Sequence, residues 1–257
     1  MVTAMGTKVI SIFDAIGEVS YLILKTMVAL FTPPFRFKDF VKQLNFVAVE
    51  SAPVVVFCVS FAAMVTIIEA SFHMKMVIQN DAMVPGFSSL LIIRELGAVI
   101  TALLVTSRVG AGLAAEVGTM QITEQIDALK MLGIEKIRYL VVPRFLACVI
   151  AGFTLTIIAN LVCLYCAMLV SQFKLGYTFG NFLVGMRTFV QFQDLVFSSI
   201  KGACFGAVIP IVSCYYGFKC KAGAEGVGLA TTNSVVTSSV SILILDFLLS
   251  WIFSFFY

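Results

Sequence analysis

The chain has 257 residues, of which 60% are hydrophobic and only 12% charged, with a formal net charge of +3 and a mean hydropathy of +1.05. A soluble domain carries about a quarter of its residues as charges, so this composition excludes an ordinary soluble protein and points to a bilayer. So small a net charge leaves no electrostatic footprint for nucleic acid, and where the charges fall matters more than their sum.

The opening stretch, MVTAMGTKVISIFDAIGEVSYLILK, does not read as a cleavable signal, because Asp14 and Glu18 stand where an uninterrupted apolar core is required. The expectation is a retained N-terminus. At 100° per residue, Thr7, Ser11, Asp14, Glu18, Tyr21 and Lys25 form one polar stripe on an otherwise apolar helix over about residues 5–31. Such a helix lies along the membrane surface more easily than across it. The sequence TPPF at 32–35 then predicts a break, since consecutive prolines lack amide donors and disfavour helix before them. A second amphipathic piece follows, with Phe37, Phe40, Val41, Leu44 and Val47 on one face and Arg36, Lys38, Lys42 and Gln43 on the other. Residues 5–48 are thus expected to be interfacial.

About 20 apolar residues are needed to cross a bilayer as a helix. Five segments meet this, at about 51–71, 87–108, 145–172, 195–218 and 230–256. The predicted fold class is all-α integral membrane, with residues 1–257 as one domain. Arg94 and Glu95 interrupt the second span, Lys201 the fourth and Asp246 the fifth. Gly110, Gly112 and Ala114, and Gly202 with Gly206, have the small-residue spacing that lets helices approach closely.

Five spans put the two termini on opposite sides. A cytoplasmic N-terminus gives that side twelve basic residues (Lys8, Lys25, Arg36, Lys38, Lys42, Arg108, Lys130, Lys136, Arg138, Arg144, Lys219 and Lys221) against three outside (Lys75, Lys174 and Arg187). The positive-inside rule therefore predicts a cytoplasmic N-terminus and a periplasmic C-terminus.

Between the second and third spans lies TEQIDALKMLGIEKIRYLVVPR, residues 123–144. Ile122, Ile126, Leu129 and Leu132 recur at helical spacing. Glu124 and Asp127 come early and Lys130 late, matching the helix dipole, and Gly133 suits a C-terminal stop. The pattern fits either a connector resting on headgroups or a helix held out to dock on a cytoplasmic partner.

A charge near the centre of a span costs roughly 2.5 to 3.5 kcal/mol on insertion scales, so such residues face protein or a water-filled cavity. Arg94 and Glu95, adjacent in sequence, point about 100° apart on a helix and are poorly placed to pair with each other. Two placements fit: at the outer interface, or at the outer part of a cavity, with Glu69 a further candidate for its rim. Lys201 and Asp246 can reach an interface or pair within the bundle, and the sequence does not choose.

The chain has no GxxxxGK[ST] phosphate loop, no HExxH and no clustered carboxylates. Its one histidine, His73, reads as interfacial, and Cys163 and Cys166, though spaced CxxC, read as packing in an apolar run, with no metal and no disulfide framework expected among the seven cysteines. An enzyme within the membrane has little to work with.

The stretch RELGAVITALLVTSRVGAGLAAEVGTMQITEQIDALKMLGIEKIRYLVVPR, Arg94 to Arg144, resembles the signature region of MlaE-type permeases, the membrane subunits of ABC transporters that work with MCE-domain lipid-binding proteins. A second match is AGAEGVGLATTNSVV, Ala222 to Val236, and the agreement runs from about residue 36 to the end. That family commonly has Pro after RELG, where this chain has Ala98, and the loop at 73–86 matches nothing that can be carried over.

The resemblance implies an interfacial helix followed by five spans, and a coupling helix over 118–133 that seats in a cleft of the ATPase subunit through Thr123, Glu124, Gln125, Asp127, Ala128, Leu129 and Gly133. It implies no cofactor in this chain, with ATP and Mg bound by a separate ABC ATPase subunit. It also implies a second copy of the chain, since two ATPases need two coupling helices, and an MCE-domain lipid carrier as extracytoplasmic partner. The expected cargo is membrane phospholipid or a related amphiphile, the expected lipid-binding residues are Arg94, Glu95 and Glu69, and the expected location is a bacterial inner membrane. The reading from another class is an ion-gradient-driven secondary transporter of a hydrophobic substrate, which predicts paired halves that five spans do not supply.

Overall fold

The computed structural model describes residues 2–31, 36–74, 76, 83–221 and 223–255, with side chains from residue 14 onward. The break expected at 32–35 and most of the 73–86 loop lie outside the described residues. Among the described residues the fold is all-α, and five helical stretches are long and apolar enough to cross a membrane.

Helix α1 (Val2–Leu30) is not among those five. It lays Leu22, Thr26 and Ala29 against the bundle and leaves Leu24 and Val28 exposed. Its amphipathic character thus resolves into one face on protein and another open to lipid. The amphipathic α2 (Phe37–Leu44) does not stand apart from the first span: a π-helical turn at Asn45–Val49 carries it almost directly into α3 (Ala52–His73). Arg108, from the second span, fastens this junction by donating to Ser51 Oγ at 2.7 Å and pairing with Glu50 at 2.9 Å.

The second span is segmented. α4 (Val84–Leu91), α5 (Gly97–Val105) and α6 (Ala111–Ile122) are joined by π turns at Ile92–Leu96 and Thr106–Gly110. Each π turn widens the helix by one residue, a feature concentrated at functional sites. α7 (Gln125–Met131) follows as a short helix outside the apolar spans. The third span runs from a π turn at Ile137–Val141 into α8 (Val142–Leu175), ended by Gly176 in the left-handed region at φ 78°. α9 (Phe179–Phe189), absent from the sequence reading, is N-capped by Thr178, whose Oγ1 accepts from the Asn181 amide at 3.3 Å. It packs on α4. The fourth and fifth spans are α10 (Phe192–Phe218) and α11 (Ala224–Phe253).

Lipid tails are as apolar as leucine side chains, so membrane helices associate by close packing rather than by escape from water. α8 and α10 pack most intimately. A Cβ on Gly152 would strike the carbonyl of Gly202, and one on Gly206 the carbonyl of Cys148, so these two backbones touch. The main core is built around them from residues such as Val59, Ile67, Leu155, Phe205 and Ile209. A second cluster, at the α7 end, joins Leu22 of α1, Ile126 of α7, Leu140, Phe145 and Ile211.

Candidate functional site

The π turn at Ile92–Leu96 carries Arg94 and Glu95. Its two charged side chains diverge to separate partners. Arg94 Nε donates to Asp194 Oδ1 at 2.7 Å, while Glu95 Oε1 accepts from Lys201 Nζ at 3.1 Å. Asp194 sits in the first turn of α10 and is 1% exposed. Its other oxygen, Oδ2, accepts from the Gln191 amide at 2.8 Å, so one carboxylate both caps the helix and holds the guanidinium.

Lys201 is the hub. About two turns deeper along α10, its side chain is only 5% exposed, and its ammonium reaches Glu95, Asp246 Oδ1 at 2.8 Å, the Arg94 carbonyl at 3.2 Å and Ser250 Oγ at 2.8 Å. The Asp246 contact has the distance of an ion pair without the direction of a hydrogen bond. A buried charge is tolerated only when paired and hydrogen-bonded, and four oxygens from two helical segments, the π turn at Ile92–Leu96 and α11, meet that condition here. Arg94 and Lys201 thus stand among three carboxylates, Glu95, Asp194 and Asp246.

Beside this cluster lies a cavity of about 220 Å³ lined by Arg94, Glu95, Lys201 and Ser250 with the rings of Phe197 and Phe253. Arg94 is 38% exposed and Glu95 46%, so each keeps part of its head group open. An arrangement with both signs of charge on one wall and apolar rings on another can hold a polar head while leaving an attached chain to apolar surface. α11 supplies such surface nearby, exposing Val240, Leu243, Ile244, Phe247 and Trp251.

Glu69 is not brought into this cluster. It stands exposed near the end of α3, 3.7 Å from His73 of the next turn. Lys201 and Asp246, left open by the sequence, pair within the bundle. Asp194 went unnoticed in the sequence; its signal is a polar Gln191-x-x-Asp194 start to an apolar run, which fits a capping box only loosely.

At the opposite end, Thr123 Oγ1 donates to the Thr119 carbonyl at 2.7 Å and ends α6. Glu124 takes a left-handed conformation at φ 57°, turning the chain into α7, and Gly133 at φ 71° turns it out again. Of the expected apolar stripe, Ile126 is fully buried and Leu129 partly so, but Leu132 is 74% exposed and Met131 beside it 90%. Gln125, Asp127 and Ala128 are exposed, and Lys130 closes on Asp127 at 2.6 Å. α7 is therefore anchored by Ile126 with Leu129 beside it and presents an apolar tip with a polar flank.

The family described as Permease MlaE matches residues 40–252. A probable ABC transporter permease protein of Rickettsia bellii is 34% identical over 97% of this chain and 96% of its own length. The intermembrane phospholipid transport system permease protein MlaE of Haemophilus influenzae is 30% identical over 97% and 95%. The chloroplastic protein TRIGALACTOSYLDIACYLGLYCEROL 1 of Arabidopsis thaliana is 39% identical over 65% of this chain and 48% of its own.

Proposed function

The chain belongs to the MlaE permease family, and from that premise we propose that it is the membrane subunit of an ATP-driven ABC transporter that moves phospholipid between the inner membrane and an MCE-domain lipid carrier. ATP and Mg are handled by a separate ATPase subunit. The observation that carries this reading is α7, whose Met131 and Leu132 are 90% and 74% exposed beyond the apolar spans. An isolated apolar tip on a short, glycine-terminated helix suits a cleft on a motor subunit.

Two copies of the chain assemble around a shared path. α11 supports this: only 11% of its apolar window is buried within one chain, leaving a long apolar face for lipid tails or a second protomer. The head group is met by Arg94 and Glu95. Glu69, at the end of α3, is a more distant rim contact. The α7 side is cytoplasmic, in keeping with the basic residues gathered there.

Co-purification tests the assignment. The full chain, extracted in mild detergent, brings down a nucleotide-hydrolysing subunit, and Leu132→Asp abolishes that association while the chain still accumulates in the membrane. Recovery of the intact chain with no such subunit, or an association indifferent to Leu132→Asp, overturns it.

A further inference from the structure

At the α7 end of the bundle, away from the Arg94–Lys201 cluster, a notch of about 150 Å³ opens between α2, the end of α6 and the start of the third span. Asp39, Lys42 and Gln43 line it from α2, Glu116 from α6, and Tyr139 and Arg144 from the third span. The volume holds several waters or one small polar group.

Its lining is built rather than incidental. Arg144 is 4% exposed and pairs through Nη2 with Glu116 at 3.0 Å, yet its Nε is buried without a hydrogen-bond partner. Gln43 Oε1 is likewise buried and unpartnered. Lys42 forms no ion pair among the described residues, whereas Asp39 holds Arg36 at 3.0 Å. A buried donor and a buried acceptor, each unsatisfied, flank two cations and two carboxylates. Unsatisfied buried polar groups are rare and costly, and these two belong to residues in the wall of a notch that already carries both signs of charge.

Depth in the membrane narrows the candidates. On the apolar face of α2, Phe37 and Val41 are 65% and 45% exposed, which sets that face in hydrocarbon and the polar face with Lys42 and Gln43 at headgroup level. We propose that this notch binds the zwitterionic head of a phospholipid from the leaflet on the α7 side, its phosphodiester on Arg144 and Lys42 and its ammonium toward Gln43 Oε1, Asp39 and Glu116. The bound lipid bridges α2, α6 and the third span, and it is separate from the transported one. The inference does not rest on the proposed transport function, only on the chain lying in a bilayer.

The test uses the full chain, with the partners that purify with it, in nanodiscs containing a phosphatidylethanolamine that carries a photoreactive group beside its phosphate. Labelling falls on peptides containing Lys42 or Arg144. It drops about ten-fold in Arg144→Gln, as expected for loss of a charged hydrogen bond, drops in Lys42→Gln, and is unchanged in Lys38→Gln. Should Arg144→Gln fail to accumulate, Lys42→Gln and Gln43→Leu carry the measurement. Unlabelled phosphatidylethanolamine competes, and phosphatidylglycerol, lacking the ammonium, competes poorly. Labelling equal in Lys42→Gln, Gln43→Leu and the unaltered chain overturns the site. Equal competition by phosphatidylglycerol overturns the zwitterionic assignment, and equally strong competition by soluble glycerophosphoethanolamine overturns the lipid as its source.

Discussion

Lys201 and Glu95 lie 106 residues apart in the chain and 3.1 Å apart at their charged atoms. Asp246 closes on the same ammonium from α11, so one buried lysine ties together three of the five spans. Removing it leaves Asp246 and the half-exposed Glu95 uncompensated; breaking a fully buried pair costs about 3–5 kcal/mol, and the 46% exposure of Glu95 places this loss below that range. Lys201→Met is expected to lower the thermal midpoint of the detergent-solubilised chain clearly. Combining it with Glu95→Gln restores part of the loss, because the second substitution removes one of the stranded charges; a combined loss equal to or larger than the single one counts against the hub.

Arg94 and Glu95 keep partly open heads beside the cavity. Glu95→Gln, and Arg94→Ala combined with Asp194→Asn so that no buried carboxylate is stranded, are expected to reduce lipid transfer by roughly ten-fold or more, the weight of about 1.4 kcal/mol at a charged contact, with complex assembly intact. Unchanged transfer in both, measured with reconstituted vesicles, removes these residues from the lipid path.

Met131 and Leu132 touch little within the chain. Met131→Asp and Leu132→Asp should therefore shift stability by no more than about 0.5 kcal/mol while abolishing co-purification of the proposed ATPase subunit. Gly133→Ala acts differently, because its φ of 71° costs a residue with a Cβ about 1–2 kcal/mol. Its expected signature is a loosened α7 seen by amide hydrogen exchange.

Glu18 of α1 accepts from Lys219 and from Tyr215 Oη, the latter at 3.0 Å. The Lys219 hydrogen bond, and then that of Tyr215, hold its carboxyl below the usual glutamate range, and Lys219 is raised in return. A depressed carboxyl contributes its stabilisation above the unfolded value and loses it as pH falls through the folded one. The hold of α1 on the bundle is thus expected to be intact at neutral pH and to weaken on acidification through and below the ordinary glutamate range. Protease accessibility of α1 against pH reads this directly, and Glu18→Gln should flatten the profile at the loosened level.

The five spans and the short exposed helix α7 after the second of them could be read from hydropathy, charge and a terminal glycine, because each rests on signals within a few turns of chain. The site was legible only in halves. Arg94 and Glu95 stood out as charges in an apolar run, but their partners Asp194, Lys201 and Asp246 are 100 residues or more away, and no periodicity reports contacts at that distance. Glu69 had the same local signature as Arg94, yet it stands apart beside His73. The helix α9 was missed for another reason: an eleven-residue amphipathic segment between two strong spans is too short to register as a crossing. The second amphipathic piece, expected as interfacial, runs through a π turn at Asn45–Val49 almost directly into the first span.

The meeting of Gly152 with Gly202 and of Gly206 with Cys148 brings the backbones of α8 and α10 into contact, and Asn160 Nδ2 donates to Ser198 Oγ across the same seam at 2.8 Å. These two helices form a keel. α11 and the jointed second span hang from it, with the joints at Ile92–Leu96 and Thr106–Gly110 on either side of α5. If α7 is the contact for a motor subunit, force applied there enters a jointed span that lies along α10 and carries Arg94 and Glu95 at its far joint.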